Sequence, residues 1–70
     1  MDMNQSFADR LRSEMGRREL ECKDLANALS VSHNTVINWR NGRSRPRVRR
    51  LIELADQLDV TTDWLLGLEP

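Results

Sequence analysis

Phe7, Leu11 and Met15 recur every four residues through an otherwise polar stretch, the spacing that lines one face of an α-helix. That helix is expected to begin near Ser6, whose hydroxyl can cap the following amides, and to stop between Gly16 and Arg18. A second begins after Glu21 or Cys22, where Leu25, Ala26 and Leu29 form a stripe about two turns long before Ser30 and Val31 break the pattern. Ser32 is placed to cap a third helix by accepting from the amides of Asn34 or Thr35; it runs to Asn41, and Gly42 supplies a left-handed stop. The segment SRPR follows, with Pro46 placed to open the next element. Leu51, Leu54, Ala55 and Leu58 then repeat at helical spacing and set Glu53, Asp56 and Gln57 outward on a fourth helix ending at Asp59. A fifth, capped by Thr61 or Thr62, carries Trp64, Leu65 and Leu66 and ends at Gly67. No strand alternation and no internal repeat interrupts this series, so the expected class is all-α, five short helices in one domain over residues 1–70.

Composition narrows what such a domain can do. At 70 residues the chain buries only about 60% of the surface it exposes when unfolded, so a deep substrate cleft between lobes is not expected. Apolar residues are 39% and charged residues 31%, which fits a folded soluble domain, and no apolar run approaches the roughly 20 residues that span a bilayer. MDMNQSFADR lacks an apolar stretch behind a basic start, so the cytoplasm is the default compartment. One cysteine, Cys22, and one histidine, His33, make neither an internal disulfide nor a structural zinc site, and no cofactor is expected.

The formal charge is zero, but the charges are segregated. Residues 1–31 hold five basic and six acidic side chains, residues 32–50 hold six arginines and no acid, and residues 51–70 hold five acids and no base. A ligand senses the potential within a Debye length of roughly 8–10 Å, so an overall neutral chain can still meet a polyanion through its middle third.

Two short helices separated by a tight turn, with a capping serine before the second, make a helix-turn-helix candidate. Leu25, Leu29, Val31, Val36 and Trp39 supply bulk where that motif needs it, and Ala26 is small where the third helix must cross closely over the second. The stretch LECKDLANALSVSHNTVINWRNGRSRP, together with the closing DVTTDWLLG, resembles the Cro and lambda-repressor-like family over residues 7–67. The resemblance implies a five-helix domain with the motif at about residues 22–41, whose third helix enters the major groove of double-stranded DNA.

The residues can be read against that expectation. With Val36 and Trp39 facing inward and about 100° per residue, the opposite side of the third helix holds Asn34, Ile37, Asn38 and Asn41, with His33 at its edge. An asparagine can pair with adenine N6 and N7, His33 can donate to a guanine acceptor, and an exposed Ile37 can pack on a thymine methyl. His33, Asn34, Ile37 and Asn38 are therefore the expected base contacts. Arg43, Arg45 and Arg47 fall on the loop where the resemblance places backbone-contacting residues. Asn41, Thr35, and Lys23 beside the free amides of the second helix complete the expected phosphate contacts, with Arg40. Arg49 and Arg50, on the fourth helix, are weaker phosphate candidates, since there they can instead pair with acids such as Asp24 or remain solvated.

The chain departs from the family at several positions. Cys22 stands where the family has a phosphate-contacting glutamine, and Glu21 replaces the threonine or asparagine cap, bringing a like charge toward the phosphates unless a cation covers it. Ser30 replaces the turn glycine. Met15 and Arg40 occupy the positions of an arginine and glutamate that pair in many relatives, so that ion pair cannot form and Arg40 is free to reach a phosphate.

Nothing surrounds Cys22, Ser32 or Asp24 that would make a nucleophile with its base and oxyanion hole, and no enzymatic activity is expected. The expected function is sequence-specific binding of double-stranded DNA as a bacterial or phage transcriptional repressor, acting as a homodimer on a pseudo-palindromic operator. Dimerisation is expected through the C-terminal helix, with Trp64, Leu65, Leu66 and Leu68, or through a further C-terminal domain, while at least one of Trp64 and Leu65 closes the core. The same pattern would also serve an antitoxin that represses its own operon, or a helical module for binding acidic proteins.

Overall fold

The computed structural model describes residues 3–68 and is helical, with five helices in the order α1 (Met3–Arg17), α2 (Cys22–Leu29), α3 (His33–Arg40), α4 (Val48–Gln57) and α5 (Thr62–Leu65), and no strand among the described residues. α2 and α3 form the closest helix pair, with α1 packed on α3 and α5, and α4 packed on α2 and α5. Each helix contributes its apolar stripe to one core: Phe7 and Leu11, then Leu25 and Leu29, Val36 and Trp39, Leu51 and Leu54, and finally Leu65. Ala26 is buried on the core-facing side of α2, the helix that packs on both α3 and α4.

The helix ends obey a rule that glycine positions alone do not reveal. Every helix closes with a left-handed residue followed by a backbone bond spanning five residues, the Schellman arrangement that satisfies orphan carbonyls. The left-handed residues are Glu19, Ser30, Gly42, Asp59 and Gly67, with φ between 55° and 79°. The five-residue bonds are Leu20 N–H to Met15 O at 2.8 Å, Val31 to Ala26 at 3.0 Å, Arg43 to Asn38 at 3.0 Å, Val60 to Ala55 at 3.0 Å and Leu68 to Asp63 at 2.8 Å. Leu20, Val31 and Val60, each just beyond the left-handed position, pack against the core, so hydrophobic burial holds three strained non-glycine residues in place.

Several expected boundaries move. Ser6 is not a cap: α1 already begins at Met3, and Ser6 instead lies under Gly67, where an added Cβ would come within 3.0 Å of the Ser6 Cβ. Gly16 stays helical, because Glu19 takes the left-handed stop. Pro46 precedes the α4 cap, Arg47, by one residue, and α4 ends at Gln57 with Leu58 as its cap and Asp59 beyond it. Thr61 is the α5 cap, its hydroxyl accepting from Trp64 N–H at 3.0 Å. Since a Cβ at Gly16 meets nothing within 4 Å, Gly16→Ala raises stability by about 0.5–1 kcal/mol, seen as a higher thermal midpoint. An unchanged or lower midpoint would contradict the open helical environment of that residue.

Among the described residues the one buried charge is Glu14 on α1, whose carboxylate accepts from Arg17 at 2.8 and 3.2 Å and from Arg18 at 3.2 Å. The Arg17 hydrogen bond, with a further one from Arg18, holds the Glu14 carboxyl below its ordinary range despite burial. A carboxyl with a lowered folded-state pKa stabilises fully above its unfolded value and loses that contribution as pH falls through the folded one. Stability is therefore expected to hold from neutrality to about pH 5 and to decline below it, with Glu14→Gln removing part of the acid-side slope in urea titrations.

Candidate nucleic-acid interface

α3 is fixed at both ends and along its inner face. Ser32 in extended conformation caps it, its hydroxyl accepting from Thr35 N–H at 3.1 Å and lying 2.7 Å from the Thr35 hydroxyl. Val36 and Trp39 anchor the inner face in the core. At the far end, Arg12 of α1 donates from Nη1 to the Arg40 carbonyl at 2.7 Å and also pairs with Asp9. A cation on one of the last carbonyls of a helix satisfies an acceptor the helix cannot and complements its dipole. Arg12 thus ties α1 to α3 in a chain whose Met15 and Arg40 cannot make the side-chain ion pair. Sequence reading missed it, although Arg12 stands about one turn before Met15 on the same helix.

The outer face of α3 presents His33 and Asn34 exposed to solvent, Asn38 and Arg40 half-buried at its flanks, and Asn41 exposed as its C-cap. Ile37 is a correction: it is half-buried and packed against the core, so only part of its side chain reaches the surface. Its position is about 50° off the outward direction, and the core cluster it packs against covers part of the side chain. Gly42, at φ 77°, then turns the chain into an extended loop on which Arg43, Arg45 and Arg47 are all exposed.

Charge pairing is confined to the rest of the surface. Arg17 and Arg18 are held by Glu14, and Arg50 pairs with an acid, Glu53 on its own helix at 2.8 Å, rather than with Asp24. Asp24 instead accepts the Glu21 backbone N–H at 2.8 Å at the start of α2. Lys23 Nζ lies 3.4 Å from Glu21 Oε2, so the cation that Glu21 requires is supplied by its neighbour. Among the described residues, the side chains of Arg40, Arg43, Arg45, Arg47 and Arg49 enter no ion pair. Cys22 is buried at the first turn of α2 and offers the surface nothing. No group of three metal-ligating side chains occurs among the described residues, and none of their helices is long and apolar enough to cross a membrane.

The family model described as helix-turn-helix matches residues 10–65. The chain is 42% identical over 60 residues to the HTH-type transcriptional regulator PrtR of Pseudomonas aeruginosa, covering 86% of this chain and 23% of that protein. It is 35% identical over 66 residues to repressor protein CI of Enterobacteria phage phi80, covering 91% and 27%, and 30% identical over 63 residues to the HTH-type transcriptional regulator DicA of Escherichia coli, covering 90% and 47%. The chain thus spans less than half the length of each of these relatives. No solved structure matches at a comparable level. With its capped α2–α3 pair and the Trp39–Asn41–Gly42 stop, the chain belongs to the helix-turn-helix family, in the Cro and lambda-repressor-like group.

Proposed function

We propose that this chain binds double-stranded DNA sequence-specifically as a cytoplasmic transcriptional regulator of repressor type, as a dimer on a pseudo-palindromic operator, and that it catalyses nothing. The observation that carries the reading is the unpaired arginine set around an exposed, asparagine-bearing α3. His33, Asn34 and Asn38 read base edges from the major groove, and the uncovered part of Ile37 packs on a thymine methyl. Arg43, Arg45 and Arg47 hold phosphates on one side of the groove, with Asn41 donating from the helix end and Arg40 alongside. Lys23 and the Thr35 hydroxyl serve the opposite strand. An exposed pair such as Lys23–Glu21 is worth only about 0.2–1 kcal/mol, so Lys23 exchanges it readily for a phosphate.

The test is a duplex titration over a range of salt. If about four phosphates are neutralised, log K falls with log salt at a slope of roughly −3.6 per protomer. Absent or salt-independent binding would overturn the reading. Arg40→Glu is expected to weaken specific and non-specific duplexes alike and to flatten the salt slope by about one contact. Unchanged affinity in that variant would remove Arg40 from the phosphate set.

A further inference from the structure

Val48 and Ile52 stand one turn apart on α4 and are 72% and 56% exposed, although the helix buries Leu51, Leu54 and Ala55 beside them. A lone exposed aliphatic residue is ordinary; two on one stripe, next to an open groove, are less so. The groove, about 500 Å³, is lined by Arg45, Pro46, Arg47, Val48, Leu51 and Leu66. On the expected alternative surface at α5, Leu65 is fully buried and Trp64 is held by Arg10, whose guanidinium lies 4.7 Å over the ring while Nη1 donates to the Trp64 carbonyl at 2.8 Å; Leu68, 61% exposed, stands there without a second exposed aliphatic residue on the same helix face among the described residues.

The charges beside the stripe indicate what covers it. At about 100° per residue, Arg49 and Asp56 lie next outward from Val48 and Ile52 on the same flank of α4, whereas the Arg50–Glu53 pair occupies the other flank. Both Arg49 and Asp56 are exposed, and neither enters an ion pair among the described residues. They are seven residues apart, roughly 10 Å along the helix axis, and the midpoint between them falls beside Ile52. Such a pattern is complementary to itself. Turned end for end about a two-fold axis at Ile52, one α4 sets its Ile52 on that of another copy, and Arg49 and Asp56 meet their opposites twice, as an isologous interface requires.

We propose that this flank of α4 receives α4 of a second copy of the chain, antiparallel, with Val48 and Ile52 as the apolar contact and Arg49–Asp56 as the pair that fixes register. The inference rests on the dimeric reading above and supplies its surface.

Sedimentation equilibrium of the chain up to about 1 mM tests it. The unaltered chain is expected to self-associate, and Ile52→Glu to raise the dissociation constant at least about tenfold while helicity and thermal midpoint stay put, because the residue lies outside the core. Arg49→Asp and Asp56→Arg each weaken association, and the two together restore it. Association of Ile52→Glu at the wild-type constant overturns the surface and leaves the dimeric reading standing. A double charge reversal that fails to recover affinity overturns the antiparallel register. An unaltered chain that is monomeric throughout and binds a single half-site defeats the dimeric reading and the inference with it.

Discussion

Alanine at Asn34 or Asn38 is expected to change which duplexes the domain selects, each loss costing about 1–3 kcal/mol on the preferred site and little on random DNA. The asymmetry follows from geometry. Both side chains lie on the outer face of an α3 whose position is set elsewhere, by Ser32 at one end, Arg12 at the other, and Val36 and Trp39 beneath. Truncating a surface amide leaves that scaffold intact, so folding stability should move by no more than about 0.5 kcal/mol. Asn34 is exposed, whereas Asn38 is half-buried, which restricts its approach angle; Asn34→Ala is therefore expected to relax selection at more than one base, Asn38→Ala at one. Arg43→Ala provides the contrast, lowering affinity for every duplex and reducing the salt slope by about 0.9. Sites selected from random duplexes by the wild type and the two asparagine variants decide the matter: identical selected sequences would show that the outer face of α3 does not read bases.

The helices were legible because their apolar residues recur at helical spacing and because Ser32, Thr61 and Gly42 carry local signals that act within a few residues. What the sequence concealed depends on distant neighbours. Glu19, Ser30 and Asp59 adopt left-handed backbones although no local preference asks it of Glu19, since Leu20, Val31 and Val60 are drawn into the core one position later. Ile37 reads as exposed because a helical wheel fixes direction but not the distance of the neighbouring side chains, and the core cluster comes close enough to cover part of it. The Arg12 bond was hidden for another reason. Its acceptor is a main-chain carbonyl 28 residues away, which no side-chain pattern encodes.

The segregation of charge takes on a definite meaning in three dimensions. Acids of the C-terminal third neutralise only the last arginine of the block, Arg50, which Glu53 holds, and among the described residues the exposed loop arginines enter no ion pair. A net charge of zero therefore coexists with an unneutralised positive face, and the field near that face governs encounter with a phosphate backbone.

Trp39→Ala is the substitution expected to do most damage, and it does so without touching a surface that meets DNA. Trp39 is 3% exposed and lies on the inner side of the same helix whose outer side carries Asn34 and Asn38. Removing a buried indole costs about 3–5 kcal/mol, lost transfer energy together with the cavity left behind. A domain of this size has a total stability of roughly 3.5–10 kcal/mol, so the variant should be marginal or unfolded at 37 °C. Each kcal/mol lowers the thermal midpoint by about 4–8 °C, which makes the loss unmistakable in circular dichroism. DNA binding should vanish together with helicity, and cooling should restore both in parallel. Trp39→Phe, which keeps an aromatic ring in the core, is expected to lose less stability and to select the same duplexes as the wild type. If Trp39→Ala instead kept its midpoint and lost only DNA affinity, the indole would be a contact residue, and the inward direction from which the whole α3 face is assigned would be wrong.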